Sequence, residues 1–240
     1  MKTMKNKLRY SYVGTLVFIL LLFLICTPNT HSLEISGIEA QAFYRGEYTR
    51  GNDFLNELSA IGTLGLGEIL TFKGGFAVGR TIVDTEISTL LSTIYTPFSA
   101  IPLGFSVSYI YNGLPEYEAH AHSIVPLVSF NGRIAGVSLG VNFRFTEFFG
   151  DTAQIESFLT FYGYANFVNT EVLTIGVGAG NFRDFQSKNL GAFSLDFNAS
   201  IKIFDNWTLM NQVEWMQSGA DGLTTTLYGI AFRTGVKYSW

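Results

Sequence analysis

The chain has few of the residues that cross-link or subdivide a protein. Cys26 is the only cysteine, so no internal disulfide is possible. Charged residues make up 14% of the chain, and no charge block or low-complexity tract marks a domain boundary. After Ile25 no apolar run reaches the roughly 20 residues that a membrane-spanning helix needs. These absences exclude a disulfide framework and a bundle of membrane helices, and they favour one domain.

Residues 1–32 have the pattern of a secretory signal peptide. Four basic residues precede an uncharged, mostly apolar run at Val13–Ile25, and Thr30–Ser32 offers small residues at the positions a signal peptidase reads. We predict cleavage after Ser32, which leaves one domain at 33–240. An uncleaved signal anchor is the alternative. Lipid attachment at Cys26 is disfavoured, because lipoprotein signals place a small residue where this chain has Ile25.

The predicted mature chain is acidic and apolar. Four of the 15 basic residues and none of the 19 acidic ones lie in residues 1–32, which leaves 11 basic residues and a net charge of −8. Such a chain lacks the basic surface that nucleic acid requires. Hydrophobic residues make up 48% of the whole sequence, yet they form no long run after Ile25. Apolar residues diluted one-for-one by polar ones are typical of transmembrane β-barrels.

The clearest pattern is the unbroken alternation of residues 228–240. Small or polar residues, with Arg233 and Lys237 among them, separate a series of mostly large apolar ones. Successive side chains of a strand point to opposite faces, so this strand has one apolar and one polar face. The apolar series is Tyr228, Ile230, Phe232, Val236, Tyr238 and Trp240.

This strand resembles the C-terminal strand of bacterial outer-membrane β-barrels, which alternates in this way and ends on an aromatic residue. The resemblance implies location in the outer membrane after export. It also implies three partners: outer-membrane lipid, the barrel-insertion machinery and periplasmic chaperones. It names no subfamily, and neither nucleic acid nor a cofactor is expected.

Alternation recurs along the rest of the chain and predicts the fold class. Eight predicted strands lie between Ile101 and Trp240, all alternating except the one at 155–167, which is aromatic on both faces. Three more alternating segments begin near Ile38, Leu58 and Phe72. The segment at 86–96 is apolar without clean alternation, so it is a fourth N-terminal strand or a loop that plugs the lumen. Because bacterial barrels have even strand numbers, we predict an all-β, antiparallel, up-and-down barrel of twelve strands. Ten or eight strands are the alternatives, and a secreted β-sandwich is the competing fold.

The strand order predicts which connections lie on each side of the membrane. With both termini in the periplasm, short turns are expected near residues 69, 98, 131, 169 and 205, and Asn131-Gly132 is a strong hairpin signal. Pro126 predicts a bulge or weak pairing. The longer, external links are expected at 46–54, 113–119, 150–154, 185–188 and 218–222.

The polar face of the alternating segments predicts the lining of the lumen. It includes Glu39, Lys73, Asn142, Arg144, Asp196, Lys202, Glu214, Arg233 and Lys237. Glycines share this face at positions 136, 140, 176, 178, 229 and 235, which predicts a lumen with some hollow space. Mixed charge fits a narrow water path and equally a lumen closed by ion pairs.

Two further residue groups invite a chemical interpretation. Glu116, Glu118, His120 and His122 alternate along one face, and imidazole with carboxylate suits a transition metal. That face continues into lipid-facing positions, so we expect a solvated rim and no metal. Outer-membrane lipid hydrolases use a His-x-Ser pair on one face, but Ser123 directly follows His122 and points to the opposite face.

The sequence therefore predicts a narrow pore or diffusion channel for small solutes. A non-conducting scaffold or adhesin is the first alternative, and a lipid-modifying enzyme is the second. No nucleophile and base are placed together, so an enzyme is not expected and no catalytic residue is assigned.

Overall fold

The computed structural model describes residues 34–49, 54–98, 101–148, 154–187, 192–218 and 226–240. The predicted signal peptide with Cys26, and parts of the predicted external links, lie outside these residues. Residues 35–240 form one compact unit. No helix in the described ranges is long and apolar enough to cross a membrane.

Fourteen strands account for most of the described residues. Twelve of them build the barrel, and two form a small hairpin. The barrel strands are β1 (Ile35–Thr49), β2 (Leu55–Leu66), β3 (Leu70–Arg80), β4 (Thr85–Tyr95), β5 (Leu103–Leu114), β6 (Ala119–Asn131), β7 (Ala135–Glu147), β8 (Gln154–Asn169), β9 (Leu173–Gly180), β12 (Ala192–Phe204), β13 (Trp207–Ser218) and β14 (Thr226–Ser239). The hairpin strands are β10 (Phe182–Arg183) and β11 (Gln186–Ser187).

Each barrel strand pairs antiparallel with the next, β9 pairs with β12, and β14 returns to pair with β1. The sheet is therefore closed and leaves no exposed edge, which confirms the predicted twelve-stranded up-and-down barrel. We call the end with the connections at 67–69, 96–102, 132–134, 170–172 and 205–206 the turn end. The opposite end, from which the β10–β11 hairpin arises, is the loop end.

The outer wall is apolar all the way round. Each barrel strand leaves a large apolar or aromatic side chain exposed on this face, with Leu58 65% exposed. Water would penalise such a surface, whereas hydrocarbon does not. One example from each strand in chain order is Tyr44, Leu58, Phe76, Leu91, Phe105, Val128, Leu139, Leu159, Val177, Leu195, Trp215 and Ile230.

The inner wall has two unlike halves. On β1–β6 a cluster of apolar residues lies among buried polar ones such as Arg45, Glu57 and Ser88, whereas on β7–β14 most of the buried residues are polar. The sequence predicted a polar lining, so this apolar cluster, which we call the apolar half, is a correction. Its members are Phe43, Ile61, Ala77, Leu90, Ile110, Val125 and Leu127, and the polar half includes Asn142, Thr160, Asp196, Gln212 and Glu214.

Several local predictions have definite outcomes. The ambiguous segment at 86–96 is β4, a wall strand, so it does not plug the lumen. The chain reverses after Asn131 as predicted, but through residues 132–134 and with no positive φ at Asn131 or Gly132. No β6–β7 pairing occurs at Pro126, yet the register continues unchanged from Ile124 to Leu127. This is the predicted weak pairing without a bulge.

Candidate functional site

The β9–β12 connection turns into the barrel. β10 and β11 pair through Phe182 with Ser187 and Arg183 with Gln186, and Asp184 and Phe185 form the tip. Asp184 has a φ of 43°, a left-handed backbone that residues other than glycine rarely adopt. The sequence predicted an external link at 185–188. The structure instead places the described part of that link in the lumen.

Phe185 fills the apolar half of the inner wall. Its side chain is only 3% exposed and packs in one cluster with Ile61, Leu90 and Ile110. Asn112 donates a hydrogen bond from Nδ2 to the carbonyl oxygen of Phe185 at 3.3 Å. The hairpin is therefore docked against the wall through apolar burial, and one of its backbone carbonyls accepts a hydrogen bond there.

Asp184 links the hairpin to two cations on separate strands. Lys73 on β3 donates from Nζ to Asp184 Oδ1 at 2.5 Å, and Arg233 on β14 donates to Oδ2 at 2.9 Å. Burial alone would raise the pKa of Asp184, but the charges of Lys73, Arg233 and Arg183 outweigh it and hold the pKa well below its usual range. Asp184 is therefore ionised at neutral pH.

Arg233 stands directly opposite Arg45 in the β1–β14 register. Like charges in such a pair repel unless acids compensate them. Arg45 makes ion pairs with Glu47 and, at 3.2 Å, with Glu214 on β13, whereas Arg233 pairs with Asp184. The hairpin thus brings the carboxylate that compensates the second arginine.

Arg183 anchors the hairpin on the polar side. Its Nη1 atom lies 3.3 Å from Asp196 Oδ2, and its guanidinium carbon lies 5.6 Å from the centre of the Tyr162 ring. Tyr162 also donates to Asp196 at 3.2 Å. A small polar cavity remains between the hairpin and this wall, and its lining includes Tyr162, Arg183, Ser194, Asp196 and Glu214.

The structure gathers some of the predicted lumen residues around the hairpin. Lys73, Asp196 and Arg233 contact it directly, and Glu214 holds Arg45 beside it and accepts a hydrogen bond from Ser194. Arg45 was not predicted as a lumen residue, although it lies on the same face of β1 as Glu39. Arg183 and Asp184 were not predicted either, because their loop has no alternation.

The other predicted lumen residues lie away from the hairpin. Lys237 and Glu39 form an ion pair of 3.3 Å near the turn end, and Lys202 lies 3.9 Å from the fully exposed Asp205. Asn142 is completely buried. Arg144, two residues further along β7, is half-buried.

The inward glycines do not leave hollow space. A Cβ at Gly136 would collide with the ring of Tyr164, one at Gly178 with Tyr162, and one at Gly235 with Phe43. Large inward side chains of neighbouring strands therefore lie flat over the glycine positions. The prediction of free volume at these positions is wrong, because side chains of the adjacent strands occupy the space that each glycine leaves empty.

The predicted rim group does not form a metal cluster in the described residues. His120 and His122 lie on the outer face, where their Nδ1 atoms are hydrogen-bonded to the hydroxyls of Tyr111 and Tyr109 at 2.9 and 2.8 Å. Glu118 ends the short 3-10 helix at Pro115–Tyr117 with a left-handed φ of 46°. Ser123 is buried on the inner face, so it is separated from His122 by the wall.

The closing strand keeps its predicted apolar face. Ile230, Phe232 and Val236 are exposed on the outer wall, with Phe232 at 45%. At the turn end the ring of Tyr238 lies edge-on to Trp207 and Trp240, with ring centres 4.9 and 4.5 Å away. Such clusters are typical of the aromatic girdle at a membrane interface. Tyr228 lies in β14, but its side chain is outside the described set.

Neither protein-family profiles nor characterised protein sequences give a match to this chain. Solved structures do match its fold. The KdgM porin in complex with disordered oligogalacturonate is 13% identical with a TM-score of 0.55, over 83% of this chain and 99% of that one. The NanC porin is 10% identical with a TM-score of 0.56, over 82% and 98%. The COG4313 outer membrane channel from Pseudomonas putida F1 is 11% identical with a TM-score of 0.52, over 88% and 98%. At these identities the likeness establishes the fold alone.

Proposed function

We propose that this protein is an outer-membrane channel through which small polar solutes diffuse, and that its docked β10–β11 hairpin narrows the path. The observation that carries the proposal is the closed twelve-stranded wall, apolar outside and partly polar inside, with a loop folded into its lumen. A barrel of this size exceeds the eight strands that side chains alone fill.

The outer wall supports the membrane location. Exposed apolar side chains surround the barrel on all twelve strands, and backbone groups are paired around the closed sheet. These are the two requirements for a β-structure in hydrocarbon. The predicted signal peptide agrees with export, and the solved structures of the same fold include porins and an outer membrane channel.

The path for solutes runs along the polar half of the lumen. Tyr162, Asp196 and Glu214 line the cavity beside the hairpin, whereas the apolar half is filled by Phe185 and its neighbours. Because the hairpin enters from the loop end, we place that end outside the cell and both termini in the periplasm. Undocking of the hairpin widens the path by removing Phe182, Arg183 and Phe185 from it.

Conductance across a planar bilayer tests this function. We expect small, infrequent openings for the wild type. We expect larger, sustained openings when residues 182–187 are replaced by a short glycine-serine link. Persistent silence of both proteins, with their barrel circular-dichroism signal intact, would refute the channel and favour the scaffold alternative.

A further inference from the structure

Lys73 and Arg233 converge on a single carboxylate inside the lumen. Lys73 belongs to β3 and Arg233 to β14, with β1 and β2 between them in the wall. Both reach Asp184, one to each carboxylate oxygen, at 2.5 and 2.9 Å. An arrangement of two cations from different strands about one carboxylate has the chemistry of a ligand site.

Arg233 is held in place by contacts other than Asp184. Its guanidinium carbon lies 3.7 Å from the centre of the Phe43 ring, which in turn lies across Gly235 on the neighbouring strand. Stacking on an aromatic face leaves the N–H edge of an arginine directed sideways, toward an anion. The cation is therefore positioned whether or not the hairpin is docked.

In the described residues, Asp184 is the acid that forms ion pairs with both Lys73 and Arg233. Glu47 and Glu214 form ion pairs with Arg45, the residue opposite Arg233, and the buried Glu57 on β2 interacts with both arginines at longer range. Departure of Asp184 would therefore leave Lys73 and Arg233 without their ion-pair partner. Two such cations in a narrow space attract an anion.

We propose that Lys73 and Arg233 form a binding site for the carboxylate group of a small solute, and that Asp184 fills this site while the hairpin is docked. A solute carboxylate that takes the place of Asp184 releases the hairpin and opens the path. This inference rests on the proposed channel function and adds the chemical class of the solute. Asp184 of the hairpin and the carboxylate of the solute then compete for the same two cations.

The exchange is feasible because a free carboxylate can make the same charge-assisted hydrogen bonds to Lys73 and Arg233 that Asp184 makes. Phe185 opposes the release, because its ring leaves the apolar cluster when the hairpin moves. Asp184 and Phe185 therefore contribute separately to docking.

The test compares acetate with chloride in planar bilayers that contain the full mature protein. Ionic strength is held at about 0.1 M, where charges more than ~10 Å apart are screened, so the anion is the only variable. We expect the open fraction of the wild type to be roughly fivefold higher in acetate, the scale of one exchanged hydrogen bond. Acetamide, the uncharged analogue, should have no effect.

Variants locate the effect. D184N should open equally in both salts and pass anions in preference to cations, and K73M should lose the acetate response. D205N is the matched control, because Asp205 is fully exposed in a turn outside the lumen. It should behave as the wild type.

The outcomes separate the two proposals. Equal opening of the wild type in acetate and chloride overturns the carboxylate site, and this result requires no variant to fold. Conduction by the hairpin-replacement variant together with that equality leaves the channel standing and removes the site alone. Silence of every protein, the hairpin-replacement variant included, overturns both.

Discussion

Gly75 and Phe185 meet where the wall has no side chain: a Cβ on residue 75 would lie 3.0 Å from Cζ of the phenylalanine ring. The same Cβ would lie 2.6 Å from the carbonyl oxygen of Ala60. Glycine at this position therefore lets β3 approach both β2 and the docked hairpin. The hairpin and the wall are fitted to each other at this point.

Gly75→Ala should lower the stability of the barrel, because backbone as well as the ring must shift. We expect a loss of about 1–3 kcal/mol, the usual cost of overpacking. Urea unfolding in lipid vesicles measures it. Gly62→Ala on β2 is the matched control, since a Cβ there meets nothing nearer than 3.9 Å. Equal stability of the two variants would contradict the fit between Gly75 and its neighbours.

Phe185→Ala should undock the hairpin. Truncation of a buried phenylalanine typically costs about 3–5 kcal/mol. Because Phe185 belongs to the hairpin, this loss destabilises the docked state of the hairpin and not the barrel wall. We expect a larger single-channel conductance with the barrel fold retained. Phe204→Ala makes the same change on the outer wall, where the ring is exposed, and should leave conductance as it was. Unchanged conductance in Phe185→Ala would mean that the hairpin does not narrow the path.

The pH dependence of docking follows from the low pKa of Asp184. Burial alone would raise the pKa of Asp184, but the charges of Lys73, Arg233 and Arg183 outweigh this effect. The carboxylate therefore stays ionised at lower pH than a free aspartate does. Because the pKa of Asp184 is lower in the docked state than its ordinary value of about 3.9, the ionised carboxylate stabilises docking fully above about pH 3.9. This stabilisation is lost only as the pH falls toward the lowered pKa of the docked state. The conductance difference between wild type and Asp184→Asn should therefore stay constant from pH 7 to about pH 4. A difference that vanishes near pH 5 would show that Asp184 is not held by these cations.

Arg45→Met should destabilise the closure between β1, β14 and β13. The change leaves the carboxylates of Glu47 and Glu214 without their cation inside the barrel, which typically costs about 3–5 kcal/mol. Lys237→Met removes the cation of the more exposed pair with Glu39 and should cost less than about 1 kcal/mol. Urea midpoints compare the two. A larger loss in Lys237→Met would place the critical ion pair at the turn end instead.

Phe232→Arg tests whether the outer wall faces lipid. An arginine in the middle of the lipid-facing band costs about 2–4 kcal/mol, and near the interface about 0–1 kcal/mol. Phe232 lies within β14, whereas the equally outward Phe204 ends β12 at the turn end. We expect Phe232→Arg to destabilise the barrel in vesicles and Phe204→Arg to have little effect. A stable, detergent-free Phe232→Arg protein would contradict the membrane location.

The barrel was predictable because its signal is local. A strand has a period of two whatever its partners are, so alternation at segments such as 193–203 and 228–240 indicated both the strands and their outer faces. The even strand number of bacterial barrels then led to twelve. Strand β8 was the exception, since aromatic residues occupy both its faces. Only the fold settles that Thr160 and Tyr162 point inward.

The lumen was predictable in part. Period two indicated that Lys73, Asp196 and Arg233 share the inner face, but it carries no information about which strands meet across the barrel. The inward glycines illustrate the difference: the sequence places them inside, and only the neighbouring strand decides that Tyr164 covers Gly136.

The hairpin was not predictable from the sequence. Residues 181–187 have no alternation, and Asp184 finds its partners 111 and 49 residues away along the chain. The sequence by itself determined a closed wall with an apolar outside, because strand periodicity depends only on adjacent residues. The tertiary structure alone decided that a loop fills that wall from within, because its docking depends on a pocket and two cations that exist only after the strands have closed.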